Sequence, residues 1–66
     1  MIDQFPMHLK TLRKQRKLTL QQVGEAALLS RAAISQYERG DNLPSLAVFV
    51  RLCGALDCEP NDLLHK

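Results

Sequence analysis

Leu18-Thr19-Leu20-Gln21-Gln22-Val23-Gly24-Glu25-Ala26-Ala27-Leu28-Leu29-Ser30-Arg31-Ala32-Ala33-Ile34-Ser35-Gln36-Tyr37-Glu38-Arg39-Gly40 is the stretch that decides the fold. The grammar of a helix start occurs in it twice. Thr19 offers a capping hydroxyl, and Gln22 three residues later completes a capping box. Leu18 before the cap has a staple partner in Val23. At Ser30 the pattern returns, with Leu29 before the cap and Ile34 in the partner position. Gly40 then supplies the residue type that tolerates a left-handed helix end. The stretch therefore predicts helices over Leu20–Ala27 and Arg31–Arg39, joined by a three-residue link. Two short helices so joined form a helix-turn-helix.

Outward from this stretch every segment reads as helix or short link, with no strand signal. Pro6 suits a helix start, and helix 1 is predicted to run to about Lys17 with Leu9 and Leu12 inward. Gly40-Asp41-Asn42-Leu43-Pro44 is a loop by composition. Ser45 caps a fourth helix from Leu46 to about Leu56, whose expected core set is Leu46, Phe49, Leu52, Cys53 and Leu56. Glu59-Pro60 opens a short fifth helix carrying Leu63 and Leu64. The expectation is an all-α, compact five-helix domain, with one domain over residues 1–66.

Composition excludes several functions. There is no apolar run long enough for a membrane span, and the N-terminus lacks a basic region followed by an apolar stretch. A cytoplasmic protein is expected. Cys53 and Cys58 stand without a second cysteine pair, and His8 and His65 lie near opposite ends of the chain. They read as two free thiols acting as small apolar residues, with no metal site and no cofactor. No acid–base pair, nucleophile constellation or phosphate loop is visible, so the chain is not read as an enzyme.

The net charge of +2 is unevenly spread. Residues 1–40 carry seven Lys/Arg and three Asp/Glu, or +4; residues 41–66 carry two and four, or −2. Lys10, Arg13, Lys14, Arg16 and Lys17 fall within eight residues. Beside a helix-turn-helix, such a cluster reads as an electrostatic footprint for phosphate. The second helix of the motif is the one that enters a DNA major groove. Its outward residues Arg31, Ala32, Ser35 and Gln36 are the candidate base readers. Arginine pairs with a guanine edge, glutamine with an adenine edge, and an alanine methyl touches that of thymine. Lys14, Lys17, Thr19, Arg39 and Asn42 are the candidate phosphate contacts. Arg13 and Glu38, each at the edge of a small core, are expected to pair with each other. Helix 4 carries an apolar surplus with Arg51 as its only charge. Ala47, Val48, Val50 and Gly54, helped by Leu64, are the candidate homodimer interface.

Leu9…Leu12-Arg13…Leu18-Thr19…Gly24…Ser30-Arg31…Ile34-Ser35…Tyr37-Glu38-Arg39-Gly40…Pro44-Ser45-Leu46…Leu52…Ala55-Leu56 resembles the Cro and phage-repressor type of helix-turn-helix domain, the XRE family. The resemblance spans about residues 9–64. It implies a five-helix repressor-like fold, binding to an operator in double-stranded DNA, and a homodimer. It also implies base-edge roles for Arg31, Ala32 and Gln36, and an internal salt bridge between Arg13 and Glu38. Two positions depart from the family. Leu20 stands where glutamine often holds a phosphate, and Leu28 stands at a turn position usually held by glycine. Leu28 is strained if the turn needs positive φ. The expected function is a small transcriptional regulator, most simply a repressor, on a near-palindromic operator. The alternative is a protein-interaction module, such as an antitoxin-like partner-binding protein, in which DNA binding is secondary.

Overall fold

A computed structural model describes residues 4–64 and contains five helices: α1 (Phe5–Gln15), α2 (Leu20–Ala27), α3 (Arg31–Arg39), α4 (Leu46–Leu56) and α5 (Pro60–Leu64). The expected domain limits of 1 and 66, and His65, lie outside the described residues. The local signals act as the sequence predicts. The Thr19 hydroxyl accepts the Gln22 N–H at 3.0 Å, and the Thr19 N–H donates to Gln22 Oε1 at 2.8 Å. Ser30 and Ser45 cap α3 and α4 by accepting from the Ala33 and Val48 amides. Gly40 closes α3 at φ 80°, and Pro60 begins α5.

Helix α1 stops two residues before the expected end. Lys17 takes φ 59°, and the Leu18 N–H folds back to the Arg13 carbonyl at 3.1 Å. Leu28 does sit in the left-handed region, at φ 61° and ψ 41°. A side chain there carries a cost of about 1–2 kcal/mol that glycine avoids. Leu28 is 79 % exposed, so its side chain recovers little by burial. Leu28→Gly is therefore expected to stabilise the domain by about 1 kcal/mol, which raises the melting temperature of so small a domain by about 4–8 °C. Thermal denaturation by circular dichroism checks this; a lowered melting temperature contradicts the strain.

The core is Phe5, Leu9, Val23, Ala27, Ile34, Leu52, Cys53, Leu56 and Leu63, with Leu12, Leu18, Leu29, Tyr37 and Phe49 packed against it. Helix α2 packs on α3 and α4, α1 on α3 and α5, and α4 on α5. The Phe5 and Phe49 rings lie 6.0 Å apart, centre to centre. His8 is buried, and its Nδ1–H donates to the Leu63 carbonyl at 3.0 Å, tying α5 to α1. Leu46 corrects the expected core set: it is 78 % exposed, whereas Leu52, Cys53 and Leu56 are buried. Cys53 is buried and Cys58 half-buried, both as free thiols. Burial raises both thiols, Cys58 to about 12, so they stay protonated at neutral pH and fill space.

Candidate nucleic-acid interface

The pairing of Arg13 with Glu38 places α3 against α1. Arg13 Nε donates to Glu38 Oε2 at 2.6 Å, and a terminal nitrogen of the same guanidinium donates to Oε1 at 3.1 Å. The other terminal nitrogen reaches the Leu18 carbonyl at 2.9 Å. Both side chains are largely buried, at 13 % and 7 % exposure. The fork thus joins the last turn of α1, the entry to α2 and the last turn of α3. With Ile34 buried and Tyr37 half-buried, α3 is left with one free face.

That face holds a shallow concavity of about 250 Å³ lined by Leu20, Arg31, Ala32, Ser35, Gln36 and Arg39. All four candidate base readers come together there, and Arg39 joins them. Arg31, Ala32, Gln36 and Arg39 are exposed. Leu20 closes the α2 side of the concavity with an apolar side chain, which offers no hydrogen bond to a phosphate. Thr19 accepts a bond through its hydroxyl and keeps that proton to donate.

The basic cluster divides in two. Arg13 is spent inside the domain. Arg16 donates to the Leu56 carbonyl at 2.7 Å and to the Asp57 carbonyl at 3.2 Å, closing the end of α4. Lys10, Lys14 and Lys17 remain exposed. On α4, Arg51 donates to the Ala27 carbonyl at 2.9 Å and caps α2. The capping roles of Arg16 and Arg51 join residues 40 and 24 positions apart, beyond the reach of any local motif. The candidate phosphate contacts Arg39 and Asn42 have partners within the chain. Arg39 pairs with Asp41 at 2.9 Å and donates to Ser35 Oγ at 3.1 Å. Asn42 Nδ2 donates to Gln36 Oε1 at 2.9 Å.

The candidate interface residues differ in exposure. Ala47 and Gly54 are exposed and Val50 is 59 % exposed, while Val48 is half-buried against the core. Leu64 lines an apolar groove with Pro44, Leu46 and Phe49. Leu43, 59 % exposed, adds to the apolar surface near the start of α4. No helix among the described residues is long and apolar enough to cross a membrane.

A helix-turn-helix family model matches residues 9–63. The chain is similar to the restriction-modification controller protein C.AhdI from Aeromonas hydrophila, with 31% identity, 94% of each chain covered and a TM-score of 0.88. It is similar to the P22 c2 repressor, solved in complex with a synthetic operator, with 30% identity, 89% of each chain covered and a TM-score of 0.84. It is also similar to the clp gene regulator ClgR from C. glutamicum, with 27% identity over 94% of this chain and 80% of that one, and a TM-score of 0.87. No curated relative matches the chain.

Proposed function

The chain belongs to the XRE-type helix-turn-helix family, matched over residues 9–63, and from that premise we propose that it is a transcriptional repressor acting on a near-palindromic operator as a homodimer. The observation that carries the reading is the gathering of Arg31, Ala32, Ser35 and Gln36 on the one free face of α3. Two small side chains and two long polar ones suit close approach to a groove floor with hydrogen bonds to base edges. Exposed Lys14 and Lys17 supply phosphate contacts, which position the protein without reading sequence. The related repressor crystallised on an operator supports the same partner for this chain.

Selection from randomised duplex DNA followed by titration tests the reading. Arg31→Ala is expected to cost about 1–3 kcal/mol of discrimination between selected and random DNA while leaving the helical content unchanged. Lys14→Ala is expected to weaken binding to all sequences and lower the salt slope by about 0.9. Equal relative affinities of wild type and Arg31→Ala for selected and random DNA contradict the assignment.

A dimer presents two α3 helices about 34 Å apart, which needs an interface away from α3. The exposed apolar residues of α4 support that interface, with Leu46 added to the expected set. Val50→Glu is the clean test because Val50 is exposed and Val48 is not. It is expected to give monomers in sedimentation and to weaken operator binding at least tenfold, or about 1.4 kcal/mol. A dimer that persists in this variant moves the contact elsewhere. A different protein on the same apolar face of α4, with DNA binding secondary, is the rival reading, and a wild-type monomer at high concentration favours it.

A further inference from the structure

The loop after α3 folds back on the helix it leaves. Gly40 turns the chain at φ 80°, and the Asp41 N–H returns to the Gln36 carbonyl at 3.0 Å. This lays Asn42 beside Gln36, and Asn42 Nδ2 donates to Gln36 Oε1 at 2.9 Å. Both side chains are exposed, so water satisfies either one nearly as well and the bond contributes little to folding. Its consequence is orientational. Gln36 lines the concavity of α3, and Asn42 stands beside that concavity rather than in it.

An amide reads adenine with one acceptor and one donor side by side, to N6–H and N7. The order of the two is normally free, because the amide turns about its last bond. Here one lone pair of Gln36 Oε1 is taken by Asn42, which biases the amide toward the orientation with its oxygen on the loop side and its nitrogen on the other. The second lone pair and both Nε2 protons stay available for a base edge. We propose that Asn42 is a specificity-determining positioning residue: it sets the donor–acceptor order that Gln36 presents to the operator, without touching a base. This assignment rests on the DNA-reading function proposed above, and it replaces the phosphate contact expected of Asn42 from sequence.

The test is selection from randomised duplex DNA with sequencing, run on wild type, Gln36→Ala, Asn42→Ala, Asn42→Asp and Asn42→Gln. The operator position that Gln36→Ala flattens is the position Gln36 reads. At that position Asn42→Ala is expected to reduce base preference by roughly threefold to tenfold, while preferences elsewhere persist. Asn42→Asp presents only acceptors, so the Gln36 nitrogen must turn toward it, and the preferred base is expected to change. Asn42→Gln, which keeps an amide donor, is expected to restore the wild-type preference in part. A uniform loss of affinity in Asn42→Ala with an unchanged sequence profile makes Asn42 a phosphate contact and overturns the proposal. So does a Gln36→Ala profile with no flattened position. A wild-type protein that selects no sequence at all overturns the DNA-reading function itself, which separates the two failures.

Discussion

Gly24→Ala is expected to destabilise the domain by about 2–4 kcal/mol, although alanine is the better helix former by about 1 kcal/mol. A Cβ at position 24 would lie 2.7 Å from the Leu29 carbonyl oxygen and 3.3 Å from the carbonyl carbon and oxygen of Ser30. These are backbone atoms of the turn, with no flexible end that can swing away. The turn is also pinned to this residue, because the Leu29 N–H donates to the Gly24 carbonyl at 2.7 Å. Relief requires α2 and the start of α3 to separate, and Val23, Ala27 and Ile34 are buried on either side of that seam. A domain of this size has only a few kcal/mol in hand, so the variant should be partly unfolded at 37 °C. Urea denaturation followed by circular dichroism measures the loss. A variant as stable as wild type, or more stable, shows that the two helices are not in such close approach.

Arg13→Met is expected to cost about 3–4 kcal/mol, near the low end for breaking a buried pair because the guanidinium keeps some contact with water. The substitution preserves much of the side-chain volume. It leaves the Glu38 carboxylate, 7 % exposed, without the two bonds that offset its desolvation, and removes the donor from the Leu18 carbonyl. Glu38→Gln is expected to cost less, since the amide still accepts one bond. The double variant Arg13→Met/Glu38→Gln should recover at least 1 kcal/mol relative to the sum of the two single losses, because it no longer buries a lone charge. Additive losses in that cycle would mean that the two groups contribute independently. Neither side chain faces the concavity of α3, so a stability loss without a change in the selected DNA sequence separates this role from recognition.

The pairing of Arg13 with Glu38 is legible in the sequence, because two opposite charges at the edges of a small core have few other partners. The caps at Thr19, Ser30 and Ser45, the glycine stop at Gly40 and the proline start at Pro60 were legible for a related reason. Each acts within four residues of itself, so chain order alone carries the information. The helix-turn-helix and the free face of α3 follow from those signals and from the helical period.

Tertiary structure decided what depends on neighbours distant in the chain. Periodicity names the buried face of a helix but not how far along it the opposing helices extend. Helix α4 has eleven residues against eight in α2 and five in α5, and Leu46 in its first turn is exposed despite its core spacing. Composition counts basic residues but not their destinations: Arg16 and Arg51 turn back onto the carbonyl ends of α4 and α2, leaving Lys10, Lys14 and Lys17 on the surface. The link between Asn42 and Gln36 was hidden because a loop reading stops at polarity and turn residues. Only the left-handed Gly40 and the returning Asp41 amide bring that side chain back to the reading helix. A side chain's local preference is written in the residues beside it, whereas its hydrogen-bond partner depends on where the whole fold carries the chain.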